Sequence, residues 1–183
     1  TGQFATIPKV TLCQMSNYFN SAGKANSIMP DGRSGWVAKL NISISNAKFT
    51  EEGDYEYYEK EIFVNNKGYS SKTDYLVWIN IRYQKVNVFV GSEGNWDLVR
   101  VAPCATGKST TPTNLGVFEY YRRDAVWDFG TYYVKPALRF NDTGEAMHSR
   151  PKRPNGSILE SYMGTPVSHG CVRMLDEDIW WLS

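Results

Sequence analysis

The residues in this sequence best suited to covalent chemistry are one cysteine and two histidines. Cys171 sits in the run Ser168-His169-Gly170-Cys171-Val172-Arg173-Met174, and the two histidines of the chain, His148 and His169, both lie upstream of it. A free thiol, with a pKa near ~8.5, is only slightly ionised at neutral pH, so a nucleophilic cysteine needs a base or a cation beside it. Imidazole is the side chain suited to that task. His169 is two residues from Cys171; in an extended segment both project to one face, which limits its freedom to serve the sulfur and a leaving group together. His148 can arrive on a neighbouring strand and is the expected base. Gly170 leaves no side chain immediately before the sulfur, and the N–H groups of Gly170 and Cys171 are the expected donors to an oxyanion. Arg173 offers a planar fork for a substrate carboxylate or carbonyl. A zinc site built from Cys171, His148 and His169 would lack a second cysteine at ligand spacing, so neither a metal nor a cofactor is expected. Cys13 and Cys104 read as small buried hydrophobes.

These groups need a scaffold, and the scaffold reads as mainly β. Residues 36–45 place Leu40, Ile42 and Ile44 on one parity and polar residues on the other, as a half-buried strand does. Residues 51–61 mix acids with Tyr55, Tyr57 and Tyr58 and read as a solvated hairpin or loop face. The turn-rich stretch at 65–73 suggests a subdomain boundary, dividing a β-rich N-terminal segment of unknown role, 1–74, from a body at 75–183. Strands are then expected at 75–81, 86–90 and 96–101, with Gly91-Ser92-Glu93-Gly94 as a turn, and further short strands at 116–121 and 132–138. Leu175 to Leu182 reads as a helix start, since its carboxylates would lie in the first turn where the helix dipole favours them. Residues 9–20 read as a short helix or an irregular lead-in.

Composition narrows the partners. With 183 residues, 42% hydrophobic and 21% charged, the chain can bury one sizeable core. Its formal charge of +1 gives no global field toward nucleic acid or an anionic bilayer, so neither is expected as a partner. No apolar stretch reaches the roughly 18 residues of a membrane span. The sequence begins without Met and is read as a piece of a longer protein, whose anchor or signal lies elsewhere.

Ser168 to Met174, with His148-Ser149 upstream, resembles the active-site signature of the L,D-transpeptidases, the YkuD-type catalytic domain. A second stretch is similar to that family's: Ala105-Thr106-Gly107-Lys108, Thr111-Pro112-Thr113 and Gly116-Val117-Phe118. The resemblance covers about residues 75–183. It implies a β-sandwich of mixed sheets with an open groove and one or two short helices. It further implies Cys171 as nucleophile, His148 as proton carrier, the backbone carbonyl of Ser149 as the third member, and Gly170 and Cys171 amides as the oxyanion site. Ser168, His169 and Arg173 would support the loop and the substrate. The implied chemistry joins peptidoglycan stem peptides by 3-3 cross-links outside the bacterial membrane, with carbapenem β-lactams as covalent inhibitors; hydrolysis of tetrapeptide stems, or wall binding without catalysis, are the alternatives. Trp127, Tyr132 and Tyr133 either line the groove or pack in the core, and Tyr133 is carried forward as substrate-binding. The segment 150–167 is either a solvated loop or a lid whose Arg150, Lys152 and Arg153 meet stem carboxylates. Asn114, Cys104 and Ser149 depart from residues common in the family, and none of them removes a catalytic group.

Overall fold

The computed structural model describes residues 14–17, 24–28, 32–38, 50–55 and 57–183. The chain divides into two compact units, Thr1–Lys48 and Phe49–Ser183. In the first, β1 (Gln14–Asn17), β2 (Lys24–Ile28) and β3 (Ser34–Ala38) form an antiparallel sheet in that order. The expected strand at 36–45 is thus present as far as Ala38, and its remainder lies outside the described residues, as does Cys13. Gln14–Asn17 is a strand rather than the helix or irregular lead-in expected within 9–20, because pairing with β2 supplies its backbone bonds.

The second unit starts with a correction. In the acid-rich stretch 51–61, residues 51–55 are turn and irregular chain, as a loop face would be, whereas residues from Tyr57 onward belong to a helix, α1 (Tyr57–Lys67). Few of its residues are apolar, so its helical period is faint in the sequence; what holds it is burial of Phe63 and Val64 on Phe89, Trp96 and Leu98. Its polar residues also serve the sheet. Asn65 Oδ1 accepts the Trp96 N–H at 2.6 Å, its Nδ2 donates to the Trp96 carbonyl at 3.0 Å, and Glu61 accepts the Leu98 N–H at 2.8 Å. Gly68 ends the helix at φ +67°, the left-handed stop that glycine adopts without strain. Residues 65–73 thus hold the end of α1 and a turn, within the compact unit that begins at Phe49.

Strands β4 (Tyr75–Asn80), β5 (Lys85–Ser92), β6 (Asn95–Ala105), β7 (Arg122–Asp124), β8 (Trp127–Asp128), β9 (Tyr133–Val134), β10 (Ala137–Arg139), β11 (Ala146–Ser149) and β12 (Val172–Met174) follow, and the chain closes with α2 (Asp176–Leu182). One seven-stranded sheet has the order β4-β5-β6-β12-β11-β10-β7, with β11 and β12 parallel and every other pair antiparallel; β8 and β9 form a separate ribbon. The architecture is mainly β with two helices, as expected. A bulge opposite Val88 and Phe89 shifts the register so that Val99 is the extra residue of β6. The shift reverses the faces on either side of it: Trp96, Leu98 and Phe89 face α1, whereas Ala102, Cys104, Val86 and Val88 face a second core with Met147, Val172, Met174 and Ile179. That second core is enclosed because the sheet curls from β5 and β6 round to β10, β11 and β12.

Two strand expectations change. Residues 116–121 form no strand, since β7 takes the outer edge of β10 and leaves this stretch a single backbone bond, Tyr121 N–H to the Arg139 carbonyl at 3.1 Å. Residues 132–138 split into β9 and β10 at Pro136, which has no N–H to give a ladder. Helix α2 forms where expected, with Asp176, Glu177 and Asp178 in its first turn.

Candidate active site

The parallel pair β11–β12 builds the site. In its register Met147 lies opposite Val172, His148 opposite Arg173 and Ser149 opposite Met174. Successive side chains of a strand face opposite ways. Met147, Val172 and Met174 therefore fill the core, and His148 and Arg173 emerge side by side on the other face. Cys171, two residues before Arg173, shares that face. All three line a cavity of about 330 Å³, together with Trp127, Phe129 and Tyr132.

His148 is buried, and its Nδ1 lies 2.6 Å from the Ser149 carbonyl oxygen. A carbonyl can only accept, so Nδ1 carries the proton and Nε2 keeps its lone pair. Burial, reinforced by the nearby Arg173 charge and opposed by the Ser149 carbonyl, pushes the imidazole pKa down to about 4. The Cys171 thiol is raised above its ordinary value, chiefly by burial and secondarily by the Glu145 carboxylate, while the Ala146 backbone amide, Arg139 and Arg173 pull it back. At neutral pH the two side chains are thus a neutral thiol and a neutral imidazole whose Nε2 lone pair can accept a proton.

The loop that carries Cys171 is held from outside. Thr113 Oγ1 donates to the Gly170 carbonyl at 2.6 Å and accepts the Gly107 N–H at 2.9 Å, while Lys108 N–H and Thr111 Oγ1 both donate to the Ser168 carbonyl. The Thr-Gly-Lys and Thr-Pro-Thr stretches therefore act as the clamp on the cysteine loop. Gly170 has φ +118°, and a Cβ there would sit 2.8 Å from Glu145 Oε1, so no other residue fits the position unstrained. Its N–H donates to Ser168 Oγ at 3.2 Å, and Ser168 Oγ donates in turn to the Cys171 carbonyl at 2.5 Å. Of the two amides expected to face an oxyanion, that of Gly170 is thus already engaged inside the loop.

The chain's match to the L,D-transpeptidase catalytic domain model, YkuD, spans residues 74–183. This chain belongs to that family. A search of curated proteins finds no match. Among solved structures, a fused Zn-dependent amidase/peptidase/peptidoglycan-binding domain-containing protein from Clostridium acetobutylicum is 24% identical at a TM-score of 0.59, over 69% of this chain and 53% of that one. An L,D-transpeptidase from Mycobacterium smegmatis is 24% identical at 0.46, over 59% and 52%, and one from Stackebrandtia nassauensis is 23% identical at 0.46, over 64% and 53%. The chain spans about half the length of these structures.

In this L,D-transpeptidase domain several expected side chains take other places. Tyr133 does not line the cavity: its backbone pairs with Lys152 and its ring lies under Lys135 Nζ at 5.6 Å. Of the three aromatic residues left open between groove and core, Trp127 and Tyr132 line the cavity. Ser168 spends its hydroxyl on the loop backbone. His169 is exposed at the rim, with Nε2 3.2 Å from Lys108 Nζ. The cations of segment 150–167 do not face the cavity as a lid would present them: Arg150 and Lys152 pair with Asp176 of α2, and Arg153 donates to the Ile158 carbonyl at 2.8 Å. The segment sends Pro151, Leu159 and Glu160 into the cavity instead, and Glu160 pairs with Arg173. Glu145 and Glu160 escaped sequence reasoning, because isolated acids carry no spacing signal. Cys104 is buried, and burial pushes its thiol up to about 12, as befits a core residue.

Proposed function

We propose that this domain is an L,D-transpeptidase that forms 3-3 peptidoglycan cross-links through a thioester on Cys171, on the cell-wall side of a bacterial membrane. The observation that carries the reading is the register of β11 against β12, which sets a Nδ1-anchored, unprotonated His148 beside Arg173 on the face that Cys171 shares. His148 Nε2 takes the proton from Sγ as the sulfur attacks the donor-stem carbonyl. The Cys171 amide stabilises the oxyanion. The intermediate collapses to the thioester, and the terminal D-Ala leaves as an amine carrying the proton from Nε2. An acceptor-stem amine then attacks the thioester, gives its proton to His148, and the returning proton restores the thiol.

A carbapenem is a strained acyl donor that the same thiol would open, so intact mass after exposure should show one covalent adduct on the wild type and none on Cys171→Ala. An adduct on Cys171→Ala would overturn the nucleophile. With stem tetrapeptides, dimeric products support transfer, and tripeptide as sole product would reassign the domain as an L,D-carboxypeptidase.

A further inference from the structure

We propose that Glu160 is a resident stand-in for a substrate carboxylate: it occupies Arg173 in the empty site and is exchanged for the substrate's own carboxylate on binding. The inference rests on the transpeptidase reading only for the identity of that substrate. Arg173 projects into the cavity beside His148, its side chain is 8% exposed, and its ion-pair partner among the described residues is Glu160, at 41%. Its Nε is buried with no hydrogen-bond partner. A sealed guanidinium left unpaired would cost several kcal/mol, so an empty site needs an anion on it. The exposure asymmetry decides which partner moves. Arg173 is fixed in β12 between β11 and β6, whereas Glu160 follows a loop base that is tied by Leu159 N–H to the Pro151 carbonyl at 2.8 Å and by Arg153 N–H to the Ser157 carbonyl at 2.8 Å. Glu160 can therefore swing to water through its own torsions while that base stays in place.

Exchanging one carboxylate for another on the same guanidinium keeps the charge compensated throughout. A neutral amide cannot make the exchange without leaving Arg173 uncompensated, so the device selects acids over amides. Glu160→Gln removes the competitor's charge and keeps its size. The test measures KM and equilibrium Kd for a stem tetrapeptide ending in D-Ala and for the same peptide with its carboxylates amidated, with Glu160→Ala as a second variant. Both variants should bind the acid at least ~3-fold more tightly than wild type does and shift the amide less, widening the preference for acid. Equal shifts for both peptides, a narrowed preference, or no binding of either peptide would overturn the proposal. Carbapenem acylation of wild-type Cys171 is scored in parallel. If neither carbapenem nor peptide acylates that thiol, the transpeptidase reading fails, and the Kd comparison alone decides the role of Glu160.

Discussion

At Cys171 and His148 the balance of protons follows from burial. The thiol is raised, so its alkylation by iodoacetamide should be slow at pH 7 and should go on accelerating above ~8.5, where an ordinary thiol levels off. Cys104, sealed in the core, should label only on unfolding, which peptide mapping after labelling resolves. His148 titrates near 4 in the folded state against an ordinary value near ~6.5. The unfolded chain thus takes a proton first, and stability present above pH ~6.5 is lost as the pH falls toward 4, by about 3 kcal/mol in all. Denaturant unfolding at several pH values should show that loss in the wild type and a flatter profile in His148→Gln. Gly170→Ala should cost about 1–3 kcal/mol for its left-handed backbone and should also slow acylation, because the new methyl group collides with Glu145. That Cys171 and His148 would meet at one cavity was legible in the sequence, because two scarce residue types cluster there. Tyr133 was misplaced for a simple reason: neighbouring residues of a strand face opposite ways, and sequence alone does not say which of Tyr132 and Tyr133 turns inward.

Among the elements, the strands with clear alternation, β4 to β6, were legible, and so was α2 from its acidic first turn. Helix α1 was not, because two buried side chains, Phe63 and Val64, hold it in place while most of its other residues are polar. Phe63→Ala should therefore destabilise the domain by about 3–5 kcal/mol, measured by denaturant unfolding. The bulge at Val99 was equally hidden, since exposed valines on an alternating strand look like any others. Deleting Val99 would leave Leu98 opposite Phe89 and Arg100 opposite Val88 in an unbroken ladder, so Trp96 and Leu98 should still face α1. Circular dichroism and thermal unfolding should show cooperative melting in that deletion, as in a conservative Val99→Thr change.

Over the whole molecule, the compact unit and the family match begin at different residues: Phe49 for the first, position 74 for the second. The difference is α1, which covers Phe89, Trp96 and Leu98. A fragment of residues 49–183 should fold and acylate like the full chain, whereas 74–183, stripped of α1, should bare those side chains and aggregate; size-exclusion chromatography with carbapenem mass labelling separates the two. The parallel pairing of β11 with β12 carries a further consequence. Neighbouring parallel strands cannot be joined by a tight turn, so the chain must make a long return journey between His148 and Cys171. That return lends Pro151, Leu159 and Glu160 to the cavity lining. Substitutions along it would reshape the cavity wall while leaving untouched the strand register that sets His148 beside Arg173.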